Sequence, residues 1–135
     1  MSEQTFEQFI GSGDTLWVYH DDSLIFSSKK QQLTPLLDYI DVFVPKVKGV
    51  KVFDRIVGNA TALLLEKASC SEVYSPLGSR YAALTLEDKG IRYHFHKTVP
   101  HILNEKGNDI CPMEKLSLDK SSDEFIAILR KKQKA

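Results

Sequence analysis

Neither sign of charge is in excess in this chain: 18 lysines and arginines stand against 18 aspartates and glutamates. A balanced chain has no bulk field to gather nucleic acid or an anionic membrane, so neither is an expected partner. Cysteine is scarce. Cys70 and Cys111 are the only two, too few for a disulfide framework, and the expected compartment is the reducing cytoplasm. There is no apolar run long enough to span a bilayer and no charged-then-apolar leader at the start. Repeats and low-complexity stretches are missing too. What remains is 135 residues, 42% of them hydrophobic, enough to bury one core. The expectation is a single domain over 1–135, with its core at about 14–118 and a C-terminal helix over 122–133.

The chain is organised around Asp54 to Lys67. Past Asn59 this stretch reads as a helix that is apolar nearly all round, and such a helix is normally covered on most sides. Its polar residues gather at its start. There, free backbone N–H groups and the positive end of the helix dipole attract anions.

Around it the pattern alternates. Glu3 to Ile10 forms a short helix with Phe6, Phe9 and Ile10 on one face. Thr15–Tyr19 and Ser23–Ser27 are strand-like and joined by the tight turn His20-Asp21-Asp22, a hairpin. Thr34 followed by Pro35 predicts a helix with Thr34 as its cap, ended by Pro45. Val47 to Phe53 is extended. Glu72-Val73-Tyr74 is a short strand, broken by Pro76 and Gly78. Ser79 caps a helix through Lys89. Ile91 to His96 alternates as a strand, and Val99 to Leu103 is a further extended piece. Cys111-Pro112-Met113-Glu114 opens a helical turn, and Ser121 with Glu124 has capping-box spacing for a last helix. This order implies an α/β fold with helices packed on one sheet.

Four groups of residues are candidates for function. Gly58, Asn59, Ala60 and Thr61 form a helix start able to hold an anion or polar ligand, with Arg55 adding a charge. The plainer alternative is a cap, Asn59 or Asp54, beside a tight turn. Cys111 stands at a second helix start, where the dipole favours a thiolate. Glu114 opposes that charge, and a small buried residue would fit equally well. His94 and His96 share a strand face, with His101 close behind, but Cys111 is the only soft ligand nearby and no metal is expected. Arg130, Lys131, Lys132 and Lys134 are a solvated tail.

The segments "DRIVGNATALLLEK" and "TVPHILNEKGNDICPMEKL" together resemble the uncharacterised prokaryotic domain-of-unknown-function family 1893, which is placed in the cytidine-deaminase-like fold. The resemblance runs through most of residues 14–118. It implies a three-layer α/β/α sandwich with a mixed central sheet, in which the starts of the two helices face one pocket. Zinc deaminases of that fold carry His-x-Glu or Cys-x-Glu at the first helix start and Pro-Cys-x-x-Cys at the second. This chain has Val57-Gly58-Asn59-Ala60 at the first. At the second it has Cys111 alone, with Glu114 where another cysteine would stand. Zinc, other cofactors and zinc-dependent deamination are therefore not carried over.

Three functions follow as expectations. One is a binding module for a small polar or nucleotide-like ligand at Arg55, Gly58, Asn59, Ala60, Thr61 and Cys111. Another is an enzyme with Cys111 as thiolate nucleophile or redox centre and Glu114 recruited beside it. The third is an interaction module or homodimer using a sheet edge or the aromatic face at Trp17 and Tyr19.

Overall fold

The hairpin that opens the sheet turns at Asp21, whose φ of 54° suits a short polar side chain. In this computed structural model, which describes residues 3–134 with side chains as far as Lys132, β1 (Leu16–His20) lies between β2 (Ser23–Ser28) and β3 (Val50–Asp54). Both of its pairings are antiparallel. The remaining strands, β4 (Ile56–Val57), β5 (Cys70–Ser79) and β6 (Arg92–Val99), pair in parallel. The order is β2-β1-β3-β5-β4, with β6 also on β5. The result is a mixed six-stranded sheet.

Alternation sorts the side chains onto two faces. Leu16, Val18, Val50, Val52 and Val73 point to one face and form a core with α2 (Thr34–Phe43), α3 (Asn59–Lys67), α4 (Arg80–Asp88) and α6 (Ser122–Lys134). Phe53 and Tyr74 point to the other, where Phe6 and Phe9 of α1 (Glu3–Gly11) meet them together with Trp17 and Tyr19. Helices thus cover both faces, consistent with a three-layer sandwich. The all-apolar stretch is the most deeply placed element: every residue from Asn59 to Leu65 is buried. Trp17 and Tyr19 are packing residues, edge-on to Phe9 and Phe53.

Several local expectations hold. Ser79 caps α4, its hydroxyl accepting the Ala82 N–H at 3.0 Å. Ser121 and Glu124 close the reciprocal capping box at 2.9 and 3.1 Å. The cap of α2 differs. Thr34 is already helical, Leu33 precedes it without a side-chain bond, and Pro35 sits at the helix start. Val99 ends β6, so the extended piece beyond it reduces to one bridge, Leu103 with Ile110.

The largest departure is β5, which runs for 10 residues straight through Pro76 and Gly78. Proline normally excludes a central strand because it cannot donate to the ladder. Here its position faces a gap. On one side β3 pairs as far as Tyr74 and β4 resumes at Leu77. The register with β6 also skips Pro76. Ser75 bridges the gap locally, its hydroxyl accepting from Leu77 N at 3.2 Å and donating to Leu77 O at 2.9 Å. Gly78 is required by packing: a Cβ there would lie 2.2 Å from the Phe95 ring. The interruption between β3 and β4 falls at Asp54 and Arg55, which places both beside the start of α3.

Candidate functional site

Gly58 is the N-cap of α3 and gives the helix no side-chain cap. The cap comes from elsewhere in the chain. Glu114, in the first turn of α5 (Pro112–Ser117), is 2% exposed, and its Oε1 accepts the Asn59 N–H at 2.6 Å and the Ser79 hydroxyl at 2.8 Å. Its Oε2 accepts the Ile102 N–H. Gly58 permits this approach, since a Cβ would lie 3.0 Å from Oε1 and 3.1 Å from Ile102 Cγ1.

Asn59 turns away from the helix mouth. Its amide donates to the Ser117 hydroxyl at 2.9 Å and carbonyl at 3.1 Å, and its oxygen accepts from Thr85. It therefore ties α3 to α5 and α4. Ala60 and Thr61 occupy the same first turn, where helix geometry leaves amides without an intrahelical carbonyl. Arg55 is a clamp. Its guanidinium donates to the carbonyls of Phe9, Ile10, Ser12 and Asp14 at 2.6–2.9 Å and lies 4.5 Å over the Phe9 ring. Those carbonyls close the end of α1, so Arg55 fastens α1 to the break in the sheet.

Between the starts of α3 and α5 is a cavity of about 880 Å³. Of the six ligand-binding residues expected from sequence, Arg55, Gly58, Ala60, Thr61 and Cys111 line it and Asn59 does not. Glu114 lines it as well. The rest of the wall is Asp54, Ile56, Thr15, the Gln31–Leu33 segment, Pro112 and Met113 of α5, and the loop from Ile102 to Asp109. Asn104 and Asn108 brace that loop: the Asn104 side-chain amide donates to Asn108 Oδ1 at 2.9 Å, and Asn104 Oδ1 accepts the Asn108 backbone N–H at 3.2 Å.

Asp54 is the group that sequence reasoning passed over, taking it only as a possible cap. Burial pushes its carboxyl up to about 7, against the Arg55 and Ile56 backbone N–H groups and the Arg55 charge, which pull it down. A carboxyl titrating near neutrality in a cavity is a functional candidate in its own right. The sequence offers only a hint: an acidic residue closes the largely apolar strand Val50-Lys51-Val52-Phe53, in which Lys51 is half-buried.

Cys111 is half-buried and precedes a helix of only 6 residues, too short for a strong dipole. Among the described residues its sulfur has no hydrogen-bond partner, so no base is in place to take its proton. The histidines have other partners. His94 Nε2 lies 2.5 Å from Glu72 Oε2 and its ring stacks on Tyr74, while His96 stacks on Phe6. Burial pushes the Glu72 carboxyl up, but the His94 hydrogen bond and the charges of Arg92, His94 and Lys51 outweigh it and hold it below the ordinary range. Among the described residues, no three His, Cys, Asp or Glu side chains are grouped to hold a metal. No described helix is long and apolar enough to cross a membrane. In the basic tail Arg130 pairs with Asp41 at 2.5 Å, Lys131 and Lys132 are exposed, and the Lys134 side chain lies outside the described residues.

Comparison with known proteins gives one consistent result. A family model described as a domain of unknown function, DUF1893 (TM1506), matches residues 6–132. The crystal structure of a DUF1893 family protein from Thermotoga maritima is similar, with 27% identity and a TM-score of 0.86. The match covers 96% of this chain and 88% of that one. No curated protein matches.

Proposed function

This chain belongs to the DUF1893 family of domains of unknown function, and from that premise we propose that it binds a small polar ligand in the cavity between α3 and α5, at Asp54. The observation that carries the reading is the cavity itself. About 880 Å³ suits a small molecule, and the lining mixes apolar Ile56, Leu103 and Met113 with polar side chains and charges of both signs.

The polarity of the ligand follows from what is already occupied. The anion that the start of α3 attracts is supplied internally by Glu114, and Arg55 is engaged by backbone carbonyls. Asp54 therefore faces the cavity with its charge poorly compensated. A ligand presenting N–H donors, such as an amine, an amidine or the amino edge of a nucleobase, meets that need better than a phosphate does. Backbone amides of Ala60 and Thr61 remain suited to a ligand oxygen.

The same geometry supports a deaminase-like arrangement that has no place for zinc. The potential ligands at the two helix starts are Cys111 and Glu114, and both Glu114 oxygens already accept hydrogen bonds. One thiol and one engaged carboxylate do not make a tetrahedral site. Two free cysteines support a reducing compartment.

The test is a thermal-shift panel of amines, amidines, nucleosides, nucleotides and simple carboxylates on wild-type protein and on Asp54→Asn. A true ligand at a hundredfold excess over its Kd stabilises by about 2.7 kcal/mol. Donor-bearing compounds should raise the wild-type midpoint and lose the effect in Asp54→Asn. A panel with no shift would overturn the reading.

A further inference from the structure

β2 is an outer strand of the sheet: it pairs with β1 and its other edge has no strand beside it among the described residues. Sheets commonly protect such an edge with charges or proline inside the strand. Ser23-Leu24-Ile25-Phe26-Ser27-Ser28 has neither, and Leu24 is 47% exposed. The charges stand outside the strand and are sorted by sign. Asp21 and Asp22 precede it, Lys29 and Lys30 follow it, and all four are exposed.

We propose that β2 pairs antiparallel with β2 of a second copy of this chain, joining the two sheets across a two-fold axis. The argument is one of register. A two-fold placing Ser23 opposite Ser28 of the other copy also sets Asp22 opposite Lys29 and brings Asp21, in the hairpin turn, towards Lys30, and repeats both approaches at the far end. Cross-strand pairs of opposite charge stabilise an antiparallel ladder, and like charges opposed would destabilise it. The sorted flanks thus favour self-pairing in this one direction. A parallel alignment would oppose aspartate to aspartate and lysine to lysine.

Two features of the strand bear on this. Against β1 the register shifts at Val18 and Tyr19, leaving Ile25 as an extra residue. The two-fold repeats that bulge in both strands, so the register survives it. Lys29 and Lys30 also bridge to Asp14 and Asp38 within the chain, at 2.6 and 2.9 Å. Their side chains remain 74% and 65% exposed. The internal bridges hold the lysines near the end of the strand, where the second copy's aspartates arrive.

The experiment is sedimentation velocity on the full chain and on two charge-swapped forms, Asp21→Lys with Asp22→Lys and Lys29→Asp with Lys30→Asp. The wild type should sediment as a dimer at high micromolar concentration and weaken in high salt. Each swapped form alone should be monomeric, because its flanks repel. An equimolar mixture should restore the dimer, since each form now carries what the other lacks. Leu24→Lys, which alters none of the four charges, should also separate the copies. A monomeric wild type, or a dimer indifferent to these substitutions, would overturn the proposal.

Discussion

The Glu114 carboxylate accepts the backbone N–H of Asn59 at 2.6 Å, across 55 positions of sequence. A helix start that looks open in sequence is thereby closed by the first turn of another helix. The same carboxylate holds Ser79, the cap of α4, and Ile102, where the cavity loop begins.

Removing that carboxylate should be costly. In Glu114→Ala the buried Asn59 N–H and the Ile102 N–H both lose their acceptor. The expected loss is roughly 2–4 kcal/mol, read as a lower urea midpoint. Glu114→Gln keeps one acceptor oxygen and should fall between that variant and wild type. A Glu114→Ala midpoint equal to wild type would show that the helix start does not depend on this group.

Asp54 gives stability a pH dependence of defined sign. Its folded carboxyl stands at about 7, above the ordinary 3.8, so between those values the folded state holds more protons than the unfolded state. Stability from this group is then full at low pH and is lost as pH rises through that window. The slope is at most about 1.4 kcal/mol per pH unit. Urea unfolding at several pH values should show wild type losing ground to Asp54→Asn between pH 4 and 7. Parallel curves would contradict the raised carboxyl.

Gly78 and Phe95 are a matched pair. Gly78→Ala places a methyl where the Phe95 ring lies, 2.2 Å from its nearest atoms. Overpacking of this kind costs roughly 1–3 kcal/mol. Shrinking the neighbour should recover part of it: Gly78→Ala with Phe95→Leu should unfold at a higher midpoint than the sum of the single changes allows.

The two thiols should label very differently. Burial pushes the Cys70 thiol up to about 12, and its side chain is enclosed. Cys111 is half-exposed at the cavity wall. Iodoacetamide at pH 8, followed by mass spectrometry, should modify Cys111 first and reach Cys70 only on unfolding. Comparable rates at both sites would mean that the native state opens around Cys70.

How much of this was legible beforehand depends on range. Periodicity located α3, the hairpin and the Ile91–His96 strand, because those signals are local and repeat within one element. The Ser79 cap and the Ser121–Glu124 box were legible because their partners lie three residues apart. Pro76 misled, since its tolerance depends on a gap between β3 and β4 that lies some twenty positions away. Arg55 misled in another way. Its charge was visible, but the carbonyls of Phe9, Ile10, Ser12 and Asp14 that occupy it were not. The convergence of Gly58 and Cys111 on one cavity was implied by the family resemblance, and both residues line it, whereas Asn59, expected with them, does not. Asp54 was missed because burial, which raises its carboxyl, is a property of the folded chain alone.

Capping the central helix from so far away has a consequence for how the molecule is made. During synthesis α3 emerges well before residue 114, with its first amide still lacking the acceptor that will complete it. Until α5 docks, the deepest element of the molecule is unfinished at the end where the cavity will form. Cavity and core should accordingly mature in one late step, and nothing resembling the finished cavity should exist on a partly folded chain.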